Sequence, residues 1–222
     1  NMKLLLNALT KFICGIILVA ILIFLPAGTF NYIDGWIFMG VLFVPIFILG
    51  TLLLAKSPEL LKRRLNSKEE ENTQKGVVAF SALIFLSGFI TAGLDFRFGW
   101  SSIPNSVKII AVVLFLASYG LYAEVMRENA YLSRTIKVEQ GQTVVDTGLY
   151  GIVRHPMYAV TILLFLMIPL VLGSWYALIV FAFYPAIIIV RLKDEEELLI
   201  KELAGYVEYK KKVKYRIIPF VW

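Results

Sequence analysis

The 222-residue chain carries one cysteine, Cys14, and one histidine, His155. A lone cysteine excludes an intramolecular disulfide and any cysteine-built metal cluster; Cys14 itself reads as a small residue facing lipid or a neighbouring helix. One histidine argues equally against a zinc site of the usual His/Cys composition, so no metal is expected. Charged residues make up only 17% of the chain. Neither a GxxxxGK phosphate loop nor a GxGxxG turn after a strand occurs, which leaves a P-loop or Rossmann nucleotide domain without support. What fills the chain instead is apolar. Hydrophobic residues account for 59% and the mean hydropathy is +0.77, against an apolar share of roughly 45–50% in soluble domains. This is the composition of an integral membrane protein folded as one bundle.

Apolar runs that approach or reach the ~20 residues of a membrane helix fall at 8–25, 36–55, 76–94 and 107–126, followed by a pair at 156–172 and 175–190. The first is long, lacks a small-residue cleavage pattern and leads at once into the second, so it reads as retained, not as a signal peptide. Charge sorts the connections. Lys3, Lys11, Lys56, Lys62, Arg63, Arg64, Lys68, Lys75, Arg127, Arg134, Lys137, Arg154 and all basic residues from Arg191 onward share one side; Arg97 and Lys108 stand alone on the other. By the positive-inside rule the first side is cytoplasmic, both termini included, and the crossings are even in number. The net charge of +6 thus follows topology and does not point to nucleic acid. The expected fold is all-α: a polytopic transmembrane bundle of about six membrane segments, the last two a tight helical hairpin, with a cytoplasmic C-terminal helical tail. Residues 1–126 form the N-terminal helices with a cytoplasmic loop at 56–75; residues 127–222 comprise a linker, the hairpin 156–190 and the tail.

Smaller features follow from local chemistry. Ser57-Pro58-Glu59 opens a short loop helix whose Leu60, Leu61 and Leu65 are expected to face the membrane surface. The aromatic stretch Asp95–Trp100 suits an interfacial belt. Glu124 sits near the cytoplasmic end of the fourth span, either as a headgroup-level side chain or as a functional carboxylate. Gly15, Gly88 and Gly93 are small enough for close helix contacts, and oligomeric state is not legible.

The chemistry gathers at the hairpin. Pro156 suits the first position of a helix, which puts His155 at the N-cap and offers unpaired backbone N–H groups to an anion. Only Gly173-Ser174 joins the two arms, so His155 and Arg191 return to the same surface. Pro169 and Pro185 are expected to kink the arms. Beyond Arg191, helical spacing puts Leu192, Leu199, Leu203, Tyr206 and Val213 on one stripe together with Glu195 and Glu196, whereas Asp194 and Glu197 point away as a solvated face. Arg191 can pair with Glu195 one turn on, and Gly205 is positioned to interrupt the helix. Arg154, His155, Arg191, Glu195 and Glu196 therefore converge beside a lipid-embedded hairpin, a cluster suited to a zwitterionic or cationic water-soluble cofactor meeting a lipophilic substrate.

The run Gly148-Leu149-Tyr150-Gly151-Ile152-Val153-Arg154-His155-Pro156-Met157-Tyr158, then the hairpin, then Arg191, Glu195-Glu196, Tyr206, Tyr209, Arg216 and Pro219 resembles the integral-membrane methyltransferases of the isoprenylcysteine carboxyl methyltransferase family, which are related to phospholipid N-methyltransferases. The likeness covers roughly 127–222. It implies S-adenosyl-L-methionine bound on the cytoplasmic side by Arg154, His155, Pro156, Tyr158, Glu195 and Glu196, with a lipophilic or lipid-linked acceptor arriving from the bilayer. The helix N-terminus and His155 would take the methionine carboxylate, and Glu195 or Glu196 the α-amino group or ribose hydroxyls. Arg191 would orient an anionic acceptor. For a protonated amine, Glu124 or Glu195 would serve as base.

Two other readings stay open. The ending Val213-Lys214-Tyr215-Arg216-Ile217-Ile218-Pro219 is also similar to the C-terminus of NADPH-dependent membrane sterol reductases, although Glu195-Glu196 and the absence of a downstream cysteine depart from their pattern. A non-catalytic lipid-binding bundle is the third. On the methyltransferase reading, alanine at His155 or Glu196 is expected to weaken cofactor binding without unfolding the bundle.

Overall fold

A computed structural model describes residues 2–66, 72–132, 136, 138 and 140–222, with only the backbone at 72 and 73. Lys68, Arg134 and Lys137, counted above among the basic side, lie outside the described residues. Among those described, every regular element is helical: α1 Met2–Ala27, α2 Ile33–Lys56, α3 Pro58–Leu65, α4 Asn72–Phe98, α5 Asn105–Glu128, a 3-10 turn Gly148–Gly151, α6 Pro156–Val171, α7 Trp175–Phe181, α8 Tyr184–Glu202 and α9 Tyr206–Lys212.

Five stretches are long and apolar enough to cross a bilayer: α1, α2, Gln74–Phe98 of α4, α5 and the α7–α8 pair Trp175–Glu202. Beside them α6 is a shorter apolar helix of 16 residues, about 24 Å at 1.5 Å per residue. The chain is thus a polytopic helical membrane protein. On α1 only Ile23, Phe24 and Ala27 are buried, and on α2 only Gly35, Phe38 and Met39. Most of the remaining side chains on both are apolar, with Lys3, Lys11, Asp34 and Lys56 the charged ones. The inner helices carry the core, where Phe38, Phe89, Phe115, Phe181, Ile168 and Leu192 are almost fully buried. Ring contacts at 5.6 Å (Phe38–Phe89) and 5.9 Å (Phe89–Phe181) tie α2, α4 and α7.

The hairpin turn is held from three sides. Gly173 adopts φ +79° and a Cβ there would come within 2.8 Å of Asp34 Oδ2, so the turn needs glycine. Buried Asp95 accepts from Ser174 Oγ at 2.5 Å, Ser101 Oγ at 2.6 Å and Ser101 N at 2.7 Å. Tyr32 donates to the Leu172 carbonyl at 2.5 Å. Asp95 therefore anchors the turn rather than standing in an open belt.

Three expectations are corrected. The second arm is not one helix ending at 190: α7 stops at Phe181, and α8 begins at Tyr184 with Pro185 in its first turn, where the missing N–H costs no intrahelical bond. No glycine or proline follows until Gly205, so α8 runs unbroken from the bundle into the acidic segment and locks its phase to the hairpin. Gly205, φ +84°, then ends it. The loop helix α3 turns inward: Leu60 and Leu61 are buried, and Leu60 packs with Val125, Met126 and Tyr150. Asp194 is half-buried and belongs to no wholly solvated face; it accepts from fully buried Gln74 at 2.7 Å.

At the α1–α4 contact a Cβ on Gly93 would lie 2.6 Å from the Ile23 carbonyl oxygen and 3.0 Å from Ala27 N. The backbones meet because the residue is small. Gly93→Ala is expected to lower thermal stability in detergent by about 1–3 kcal/mol through overpacking. Gly40→Ala, where nothing lies within 4 Å, is expected not to destabilise.

Candidate functional site

The site begins with one carboxylate. Glu196, buried on α8, accepts from Arg154 Nε at 2.7 Å and faces His155 Nε2 at 3.2 Å with the same oxygen, Oε1. Its other oxygen, Oε2, accepts from Arg216 Nε at 3.0 Å. Arg154 donates further through Nη1 to the carbonyls of Val213 (2.9 Å) and Lys214 (2.8 Å). The backbone completes the seam, with Arg154 N bonded to Tyr215 O and His155 N to Arg216 O, each at 2.9 Å. Segment 213–216 thus lies alongside the entrance to α6, and Glu196 sits beneath both. Because a carboxylate only accepts, the His155 Nε2 facing it carries the proton, which leaves Nδ1 as the ring's other polar atom. The Tyr206 hydroxyl stands 3.5 Å from Nε2. Burial, then the Glu196 charge, pushes the Tyr206 phenol upward, so it meets the imidazole as a neutral hydroxyl.

Above this seam opens a cavity of about 810 Å³, within the size range of small-molecule sites. Arg154, His155, Tyr158, Arg191 and Glu195 line its polar side. Glu195 accepts a short hydrogen bond from the Tyr158 hydroxyl, and the Tyr158 ring stacks on His155 with centroids 5.7 Å apart. Leu49 and Leu53 of α2, Val77 and Phe85 of α4, and Leu164 and Phe165 of α6 belong to its apolar wall. One cavity thus carries both a polar and a lipophilic wall.

The sequence-derived candidates separate into two groups. Arg154, His155, Tyr158, Arg191 and Glu195 are brought to the cavity, whereas Pro156, Glu196 and Glu124 are not among its lining. Pro156 starts α6, as its fixed φ suits. Glu196 has both oxygens engaged below the cavity floor. Glu124 is held by Arg127 at 2.6 and 2.8 Å on the exposed side of α5. The expected anion seat at the start of α6 is also largely occupied: the N–H groups of Tyr158 and Ala159 turn back to the His155 carbonyl at 3.1 and 3.2 Å. Arg191, one turn before Glu195, donates through Nη1 to Gln74 Oε1 at 3.1 Å and also bonds the Tyr158 hydroxyl that Glu195 shares.

Arg64, Tyr122 and Asn129 also line the cavity and escaped the sequence reading. Arg64 hydrogen-bonds the Tyr122 hydroxyl, its guanidinium 5.4 Å from that ring's centroid. Asn129 donates to the Tyr150 hydroxyl at 3.1 Å. Arg64 had been counted only as a topological charge. Its spacing three and four residues from Leu61 and Leu60 put it on the buried face of α3, a signal that was present.

Comparison with known proteins places this geometry. The sequence model of the isoprenylcysteine carboxyl methyltransferase family matches residues 108–201, a span that holds α6, the turn and the acidic segment of α8. The chain is 34% identical over 91 residues to the Delta(14)-sterol reductase TM7SF2 of Mus musculus, covering 40% of this chain and 22% of that protein. It is 32% identical over 91 residues to the uncharacterized protein YpbQ of Bacillus subtilis (strain 168), covering 40% of this chain and 54% of that one. The chain thus spans about a fifth and about half of the length of these two relatives.

The seam changes the expected behaviour of Glu196. Removing its carboxylate leaves Arg154, whose side chain is 5% exposed, buried without its ion-pair partner. Glu196→Ala is therefore expected to cost about 3–5 kcal/mol of stability, read as a lowered melting temperature without ligand. Glu195→Ala, which severs only the Tyr158 contact, is expected to leave that temperature nearly unchanged.

Proposed function

We propose, from the premise that residues 108–201 match the isoprenylcysteine carboxyl methyltransferase family, that the chain is an integral-membrane methyltransferase. It uses S-adenosyl-L-methionine, and it acts at the cytoplasmic face on a lipophilic acceptor. The observation that carries this reading is the single cavity that joins a chamber of opposite charges, Arg191 and Glu195, to the apolar wall of α2, α4 and α6. A zwitterionic cofactor and a lipid-soluble acceptor need these two surroundings side by side.

The donor set fits the cofactor. Glu195 is placed to take an α-amino group, and His155 and Tyr158 form the adjoining wall, while Arg154 and Glu196 hold that wall from beneath and Pro156 fixes the start of its helix. When bound, the cofactor supplies an electrophilic methyl group on a sulfonium sulfur. The protein's contribution is orientation and exclusion of water more than acid–base work. Arg191 draws an anionic acceptor group into line. An ionised carboxylate needs no base, which favours O-methylation here. A lipid amine arriving as ammonium would have to give its proton to Glu195, already bonded to Tyr158.

A second reading, an NADPH-dependent sterol-reductase-like enzyme, is favoured by the partial similarity to the mouse reductase. Cofactor binding separates the two. In detergent, S-adenosylhomocysteine is expected to raise the melting temperature and NADPH to leave it unchanged, since a ligand at 100 times its Kd adds about 2.7 kcal/mol to the native state. Stabilisation by NADPH alone would replace the methyltransferase reading with the reductase, and a response to neither would favour a non-catalytic lipid-binding bundle. Tyr158→Phe, which frees Glu195 without emptying the ring's space, is expected to weaken S-adenosylhomocysteine binding about tenfold, or ~1.4 kcal/mol.

A further inference from the structure

Gln74 lies at the start of α4, outside the matched residues 108–201, and is fully buried. A primary amide in such a place is costly unless its polar ends are satisfied. Both ends are satisfied by one helix: Nε2 donates to Asp194 Oδ2 at 2.7 Å, and Oε1 accepts from Arg191 Nη1 at 3.1 Å. The direction of the amide is fixed by chemistry, since Asp194 can only accept and a guanidinium can only donate. Asp194 thus sets which way Gln74 faces, and Gln74 sets where Arg191 can lie.

Of these three residues only Arg191 lines the cavity. Arg191 also stands one helical turn before Glu195, the spacing at which an arginine ordinarily folds down onto a carboxylate. Here the guanidinium meets Glu195 through a shared partner, the Tyr158 hydroxyl, and is held laterally by Gln74 from another helix.

We propose that Gln74, oriented by Asp194, is a positioning residue that holds the Arg191 guanidinium in the wall of the cavity, ready for the acceptor. The role of Arg191 towards the acceptor rests on the methyltransferase reading above; its restraint by Gln74 does not. The N-terminal half thereby supplies a part of the site that the family-matched segment lacks.

The test uses the full chain in detergent with two variants, Gln74→Leu and the paired change Gln74→Glu with Asp194→Asn. In the paired change a carboxylate at 74 still accepts from Arg191, and an amide at 194 now donates to it, so the relay is rebuilt with its donors exchanged. The first readout is the rate at which phenylglyoxal modifies Arg191, followed by peptide mass spectrometry. The second is methyl transfer from labelled S-adenosylmethionine to an S-prenylated cysteine with a free carboxylate. Gln74→Leu is expected to speed Arg191 modification several-fold and raise KM for the prenylcysteine about tenfold, with KM for S-adenosylmethionine unchanged, a split that a merely structural role would not produce. The paired change is expected to restore both to near the wild-type values. Unaltered Arg191 reactivity in Gln74→Leu, equal losses towards both substrates, or failure of the folded paired variant to restore Arg191 reactivity would overturn the proposal. If the wild-type protein transfers no methyl group to this probe, the choice of acceptor fails. The reactivity of Arg191 then decides the restraint by itself, as it does through the paired variant if Gln74→Leu yields no folded protein.

Discussion

The Glu196 carboxylate is the point on which the polar end of this bundle depends. A buried charge survives only when its lone pairs are taken by donors, and here the donors come from two separate stretches: Arg154 and His155 ahead of α6, and Arg216 beyond α9. Glu196 is itself carried by α8, so one side chain ties three parts of the chain that meet nowhere else in sequence. The cavity rests on that tie. Its floor is His155 and Tyr158, both set by the entrance to α6, and its side is Arg191 and Glu195, both set by the phase of α8.

That phase is inherited from the membrane. Because α8 runs without interruption from Tyr184 to Glu202, burial of Ile188 and Leu192 in the core decides which way Glu195 and Glu196 turn. The turn at Gly173, clamped by Asp95 and Tyr32 at the far end of the hairpin, keeps α6 and the α7–α8 arm in step. Apolar packing within the bilayer thus aligns charged groups at its surface.

Much of this was written in the sequence where a single strong rule applied. The apolar runs, the two-residue turn and the shared stripe of Leu192 with Glu196 follow from hydropathy and helical spacing, and the structure follows them except in the last run, which is divided between α7 and α8. The family likeness drawn from Arg154-His155-Pro156 and Glu195-Glu196 is matched by the segment 108–201. What escaped was partnership across distance. Asp194 looked solvated because helical phase carries no knowledge of Gln74, 120 residues away. Glu196 looked like a ligand-binding acid because spacing shows that a carboxylate faces inward, not what already occupies its oxygens. Glu124 is the opposite case: its partner Arg127 lies only three residues ahead on its own helix, a pairing that local spacing could have shown.

The pairing of Arg154 and His155 with residues 215 and 216 also orders events in time. Domains form from the N-terminus onward during synthesis, and α1 to α6 can enter the bilayer while later residues are still unmade. Until segment 213–216 leaves the ribosome, Arg154 lacks its carbonyl partners and the His155 N–H has no acceptor from that segment. The nascent protein is therefore a membrane bundle before its polar seam is closed. A ribosome that stalls short of residue 213 would leave behind an inserted bundle in which Arg154 and His155 still lack those partners.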